Sequence, residues 1–294
     1  MQTDVTITNS VGEGNPENIK VLVYHRVLDD ARVCDEQKSM CVHTDTFRNQ
    51  LQHLERWGFT TITFHDYRLY LNGELRLPRK PVILTFDDGY LDVHQYAFPL
   101  LREFGMKAVV FAIGNSQIQS NVWDQDKGIA SAPLMNPRQI VELHEAGFEI
   151  GSHTLSHAIL PSLSKEEASE EIARSRMLLE ILLNAPVQSF AYPYGLATEP
   201  IKRMVFDAGY TTGCGVYTGP AQFGVDPFDI RRILVFNTTD TFDFGLRMLV
   251  PYEHYAWLKW KIRMLLSSSK RRNSDFYRMA MREFESLLYS EKTS

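Results

Sequence analysis

Two adjacent carboxylates, Asp87 and Asp88, close an apolar run from Pro81 to Phe86 and are followed by Gly89 and Tyr90. The run is rich in β-branched residues and predicts a buried strand. Charges at its carboxyl end cost free energy unless they are paired, metal-bound or solvated. Neighbouring strand residues point to opposite faces, so the two aspartates can serve different tasks only where the chain is already turning. Gly89 supplies the permissive backbone for that turn. Taken alone, Asp-Asp-Gly is better explained as a turn capping the next helix. Further along, His153 and His157 stand four apart within Ser152-His153-Thr154-Leu155-Ser156-His157. On a helix that spacing puts both imidazoles on one face, and in an irregular turn they can still converge. Two histidines with one aspartate form a catalytic metal-ligand set that leaves room for water. A divalent ion there lowers the pKa of water toward ~7 and polarises a carbonyl, and a second carboxylate can take the proton. The chemistry expected is metal-assisted hydrolysis.

The elements that must position these groups alternate. Short apolar strands are predicted at Ile19 to Tyr24, Thr60 to Phe64, Lys80 to Phe86, Lys107 to Ile113, Phe148 to Gly151, Val187 to Tyr192, 210 to 214 and Ile230 to Phe236. Helical patterns lie between them. One starts near Thr44 or Thr46 and ends at Gly58, one spans Asp66 to Leu71 and one Asp92 to Phe104. Another has Pro137 at its first position, one is capped by Ser164 with Glu167, and one covers 198 to 208. This alternation implies parallel pairing with right-handed crossovers, and about seven such units favour a closed or nearly closed barrel. The fold class expected is α/β, a deformed (β/α)7 TIM-like barrel. Its strand C-terminal ends share one face, where ligands bind. Asp87, Asp88, His153, His157, Tyr192 and Tyr194 all follow such ends, and His25 follows the first strand in the same way. The 115 to 136 stretch shows no clear period and reads as a functional loop.

Composition sets the remaining bounds. The chain has 294 residues, 44% hydrophobic and 23% charged, with net charge -5, which gives no reason to expect nucleic acid as a partner. Its three cysteines, Cys34, Cys41 and Cys214, lack metal-cluster or disulfide spacing and read as reduced thiols. Residues 1 to 18 read as a flexible leader, 19 to 250 as the barrel, and 251 to 294 as a C-terminal helical basic and aromatic extension. The 255 to 272 stretch carries six basic residues and no acidic one, interleaved with Trp257 and Trp260. It suggests peripheral contact with an anionic membrane, with a helix covering the barrel exterior as the alternative. With no secretory signal pattern at the start, the expected location is cytoplasmic, with a peripheral place at the inner face of the membrane.

Three motifs carry a family resemblance. Thr85-Phe86-Asp87-Asp88-Gly89, Ser152-His153-Thr154-Leu155-Ser156-His157 and Tyr192-Pro193-Tyr194-Gly195 resemble, in order and separation, the first three motifs of the NodB-homology polysaccharide deacetylases (carbohydrate esterase family 4). The resemblance spans roughly residues 19 to 236. It implies a deformed seven-stranded barrel that removes N-acetyl groups from amino sugars with a divalent metal, zinc first, with cobalt, nickel or manganese as alternatives. By position it makes Asp87 the general base and Asp88, His153 and His157 the metal ligands. Tyr194 would lend its backbone N–H to the oxyanion, and Tyr192, Pro193 and Trp123 are expected to line the substrate site.

Two departures matter. The third motif of the family opens with a base-orienting arginine, and here that slot is Ala191; Arg231 and Arg232 are substitutes by position. The C-terminal Leu-x-His motif that supplies the acid is not evident. Val23-Tyr24-His25-Arg26-Val27 instead resembles the early Tyr-His element of the poly-N-acetylglucosamine deacetylases, which implies His25 as the acid that protonates the leaving amine. The reading is an N-deacetylase of an amino sugar in a polysaccharide or glycan precursor. Its rivals are a hydrolase of another amide or cyclic imide, and an inactive carbohydrate-binding relative.

Overall fold

A computed structural model describes residues 19–36, 41–127, 129–215 and 225–250. The strands are β1 (Lys20–Tyr24), β2 (Arg26–Leu28), β3 (Cys41–His43), β4 (Thr60–Thr61), β5 (Pro81–Phe86), β6 (Val109–Ala112), β7 (Glu149–Ser152), β8 (Ser189–Ala191), β9 (Thr212–Cys214) and β10 (Ile233–Leu234). The helices are α1 (Ala31–Glu36), α2 (Thr44–Arg56), α3 (Phe64–Leu71), α4 (Phe98–Glu103), α5 (Pro137–Glu145), α6 (Lys165–Leu183), α7 (Glu199–Asp207) and α8 (Thr241–Leu249).

Eight strands form one parallel sheet in the order β10-β1-β5-β6-β7-β8-β9, with β4 paired to β5. The sheet curls back on itself through one segment. Ile230 bridges to Cys214 at the end of β9, while Ile233 and Leu234 pair with Leu22 and Val23 of β1. This is the curled α/β barrel that the alternation predicts. β5 is buried along its whole length, as its unbroken apolar run requires. A second, two-stranded parallel sheet, β2 with β3, branches off just after β1.

Several local expectations are corrected. The 60 to 64 strand is only two residues long, because Thr63 caps α3 in a box with Asp66 and Phe64 is already helical. α2 is capped by His43, whose side chain accepts from the Asp45 amide, so neither Thr44 nor Thr46 is the cap. The 92 to 104 helix opens with a π-helical turn over Val93–Ala97 before becoming α4. Pro137 and the Ser164–Glu167 capping box stand where expected. The three cysteines are free and buried.

The chain divides into one compact unit ending at Thr241 and a second beginning at Phe242. In the second unit, α8 carries an Asp243–Arg247 ion pair one turn apart at 2.7 Å. The 1 to 18 leader and the basic, aromatic 255 to 272 stretch lie outside the described residues. Among the described residues, no helix is long and apolar enough to cross a membrane.

Candidate metal and catalytic site

Asp87 leaves β5 with its amide bonded to the Tyr24 carbonyl at 3.0 Å, so β1 and β5 end in register. Its carboxylate faces Arg232, and the two form a bidentate pair, Nη1 to Oδ1 and Nη2 to Oδ2, each at 2.7 Å. Arg232 is fully buried and otherwise bound. Its Nε donates to the Gly215 carbonyl at 2.9 Å and its Nη1 to Thr85 Oγ1 at 3.1 Å. Burial alone would push the Asp87 carboxyl up, but the Arg232 charge and hydrogen bonds hold it below the usual carboxylate range. Of the two arginines expected near the base, Arg232 reaches it. Arg231 lies half-buried with no contact to Asp87 among those the structure shows.

Asp88 turns the other way. Its φ of 70° is left-handed, a conformation tolerated by aspartate, and Gly89 follows at 74°. Gly89 lies close under β6, where an added Cβ would stand 3.4 Å from Ala112 Cα. The turn aims Asp88 Oδ1 at the two histidines, 3.2 Å from His153 Nε2 and 3.3 Å from His157 Nε2. All three side chains are buried, and their ligand atoms lie within 4.8 Å of one another. The second histidine does not come from a helix. The 153 to 157 stretch is an irregular turn with Thr154 at φ 67° and His157 at φ 62°. Two non-glycine residues in that region cost about 1–3 kcal/mol each, so the surroundings must over-determine them. α6 does so. The Leu155 amide donates to the Glu171 carbonyl at 3.1 Å, Ser156 N and Oγ donate to the Glu171 carboxylate at 2.9 and 2.7 Å, and Ser175 Oγ donates to the Thr154 carbonyl at 2.9 Å.

Protonation follows from these contacts. His153 Nδ1 lies 2.9 Å from the Ala191 carbonyl, which can only accept, so Nδ1 carries the proton and the Nε2 lone pair is left for a cation. Burial disfavours its charged form, but the neighbouring Asp88 and Asp87 more than compensate and raise its pKa. Burial dominates at His157 and holds its pKa down. Asp88 is pushed up by burial, yet the two adjoining histidines hold it well below the usual range. Asp88 Oδ1 and His157 Nδ1 are buried without a hydrogen-bond partner of good geometry. Three converging donors, one of them an orphaned carboxylate oxygen, fit a divalent cation better than a hydrogen-bonded cluster.

Around this centre the 115 to 136 loop is ordered rather than structureless among its described residues. Tyr90 bridges to Leu134 and Ser120 to Pro133, and the Met135 amide donates to the Gly89 carbonyl at 2.9 Å. Asn121 Oδ1 accepts from the Ala132 amide at 2.6 Å. The loop delivers Trp123 onto His157, with ring centroids 4.3 Å apart and 15° between planes. Tyr194, half exposed and at φ 57°, meets the same imidazole edge-on at 4.8 Å. Tyr192 and Pro193 are placed differently from the expectation that they line the substrate site. Both are buried, and Tyr192 is tied by its hydroxyl to the Phe228 carbonyl at 2.9 Å, so it packs the barrel end. His25, half-buried between β1 and β2, lies near enough to pull down the pKa of both Asp87 and Asp88. Arg26 and Asp92, which sequence reasoning did not single out, form a buried ion pair beside it at 2.8 Å.

Comparison with known proteins agrees with this geometry. Residues 74–213 match the model of a family described as polysaccharide deacetylase. YxkH of Bacillus subtilis (strain 168), whose name places it provisionally among polysaccharide deacetylases, is 27% identical over 220 residues, 75% of this chain and 72% of its own. A poly-beta-1,6-N-acetyl-D-glucosamine N-deacetylase of Staphylococcus epidermidis is 26% identical over 265 residues, covering 81% of this chain and 89% of the relative. Among solved structures, IcaB from Ammonifex degensii superposes with a TM-score of 0.63 at 26% identity, over 84% of this chain and 97% of that one.

Proposed function

We propose, from the premise that residues 74–213 are a polysaccharide deacetylase domain, that this chain is a metal-dependent hydrolase of N-acetylated amino sugars. The observation that carries the reading is the division of labour at one turn. Asp87 is held by Arg232 and Asp88 by two histidines, so one carboxylate is oriented for proton transfer and the other for cation binding. Asp88, His153 and His157 would hold a divalent cation, which would supply Lewis acidity for the acetamide carbonyl and a lower pKa for the attacking water. His and Asp donors suit zinc, cobalt, nickel and manganese, with zinc first.

The chain's own residues supply the rest. Asp87 takes the proton of the attacking water; the bidentate pair with Arg232 leaves each carboxylate oxygen a second lone pair for it. The Tyr194 backbone N–H, carried at a left-handed φ, faces the developing oxyanion, a role Pro193 cannot fill because it has no N–H. His25 gives its proton to the departing amine, and acetate leaves. Trp123 and Tyr194 flank His157 and present aromatic surface to the sugar. The name of the Staphylococcus epidermidis relative supports a β-1,6-linked N-acetylglucosamine polymer as the first substrate to test. The test is acetate release from a panel of N-acetylated saccharides, wild type beside Asp87→Asn. Release by the wild type and a loss of at least 10²-fold in the variant, with cation binding retained, is expected. Release of no acetate from any saccharide by the cation-loaded protein would end the reading.

A further inference from the structure

His25 occupies the single position between strands of two different sheets. β1 ends at Tyr24 and pairs with β5, and β2 begins at Arg26 and pairs with β3. On the amino-terminal side, the Tyr24 carbonyl is fixed by the Asp87 amide. On the other side the fixing group is Asp92. Arg26 Nε donates to Asp92 Oδ2 at 2.8 Å, and the Val27 amide donates to Asp92 Oδ1 at 3.3 Å. The Arg26 guanidinium also lies over the Tyr90 ring, 5.1 Å from its centroid. The Arg26 and Asp92 side chains are 10% and 5% exposed, so water scarcely competes for either group. Tyr90 and Asp92 follow Asp87 and Asp88 directly, Asp92 in the first turn of the helical segment after them. One hexapeptide thus carries the proposed base, the proposed cation ligand and the grip on the residues that follow His25.

The geometry points to Asp92 as a positioning residue for the proton donor: through Arg26 and the Val27 amide it holds His25 in register with Asp87 and Asp88. The inference rests on the reading of His25 as the acid. Stability alone is a poor reason for this pair, since apolar residues of similar volume often replace a buried ion pair without loss. Ionising Asp92 there is also costly, because burial pushes its carboxyl up to about 6 even against the pull of Arg26. What the pair achieves is geometric. One carboxylate binds a side chain and a backbone amide on successive residues, which fixes both the direction and the height of the chain leaving His25.

The test separates protonation of the leaving group from the rest of the reaction. A 4-nitrophenolate leaves without a proton, whereas a sugar amine does not. Asp92→Asn is expected to lower kcat on an N-acetylated saccharide by about 10²-fold while leaving hydrolysis of 4-nitrophenyl acetate within a few-fold of wild type. Combined with His25→Ala it is expected to add nothing to the loss that His25→Ala causes alone. If Asp92→Asn is poorly folded, Arg26→Met with Asp92→Leu removes both charges together and is expected to show the same leaving-group dependence. Equal losses on both substrates, or additive losses in the double variant, overturn the inference. A readout independent of turnover is the His25 imidazole ¹H–¹⁵N spectrum, expected to move or broaden in Asp92→Asn; an unchanged spectrum also overturns it. If no saccharide yields acetate, the substrate reading fails separately and that spectrum still decides the role of Asp92.

Discussion

At the scale of single residues, the burial of Asp87 is offset by one guanidinium. Arg232 is itself without solvent contact and donates to Asp87, Thr85 and the Gly215 carbonyl. Removing it leaves a buried carboxylate unpaired. Arg232→Ala is therefore expected to destabilise the fold by about 3–5 kcal/mol, measured by denaturant unfolding. Arg232→Lys keeps a charge but loses the planar fork, and is expected to cut kcat by about 10²-fold with a much smaller change in KM. Equal changes in kcat and KM would contradict an orienting role. The sequence shows two adjacent arginines near a late strand, but adjacent positions face opposite ways, and the register that selects Arg232 is set by pairing between β10 and β1. Tyr192 was misplaced for a related reason. Its hydroxyl partner, Phe228, lies in a turn whose position is set only by the tertiary fold. The cluster of Asp88, His153 and His157 was legible because its three residues stand in tightly spaced motifs at strand ends.

Among the elements, α6 holds the most responsibility, since Glu171 and Ser175 restrain the turn that bears His153 and His157. Its capping box was visible in the sequence because capping depends on residues three apart. The capping of α2 by His43 was not, because a histidine imidazole accepting an amide is outside the usual cap preferences. Ser164→Ala is expected to cost about 1 kcal/mol, read as a fall of about 2–4 °C in Tm. Gly151→Ala should cost more. A Cβ there would stand 2.4 Å from Phe111 Cδ1 and 2.7 Å from Ser189 Oγ, between β6 and β8, so the buried Phe111 ring and Ser189 side chain must shift just below His153. A loss of cation affinity alongside the stability loss is expected, measured by titration with Zn²⁺. Lys202 of α7 binds Glu199 at 2.8 Å and Asp226 at 2.9 Å and lies 3.8 Å from Asp229. Asp226 is pushed up by burial, but the Lys202 hydrogen bond and charge bring its pKa below the usual value. With a folded pKa below the unfolded one, it contributes stability above about pH 4 that disappears as pH falls through the folded value. Asp226→Asn should thus matter at neutral pH and become neutral in strong acid, as paired unfolding curves would show.

The whole barrel unit gathers its working groups onto one end. His25 follows β1, Asp87 and Asp88 follow β5, His153 follows β7 and Tyr194 follows β8, as parallel pairing requires. An ion held by Asp88, His153 and His157 would link the ends of β5 and β7 and stabilise only the folded state. Removal by a chelator is expected to lower Tm, and a free-ion concentration about a thousand times Kd should restore about 4 kcal/mol of apparent stability. Calorimetry with and without the ion, beside His153→Ala, checks this; a Tm insensitive to the ion in the wild type would contradict the cation site. The alternation of elements was legible because each βα unit is local in sequence. The number of units favoured a closed or nearly closed barrel, but the contacts that close it, from Ile230 to Leu234 between β9 and β1, span most of the chain and were not written in any local pattern.

That closure has a consequence for how the protein comes into being. The pair between Arg232 and Asp87 spans 145 positions of sequence, and the last segment of the barrel to leave the ribosome carries the cation that the first motif requires. Until residue 232 has emerged and docked, a chain that has already assembled β1, β5 and β6 would have to bury the Asp87 charge alone or leave that end of the sheet open to water. The proposed base therefore cannot be set before the barrel is complete. Fragments that stop short of β10 should lack both a sealed core and a paired Asp87, so the carboxylate gains its partner only when the barrel closes.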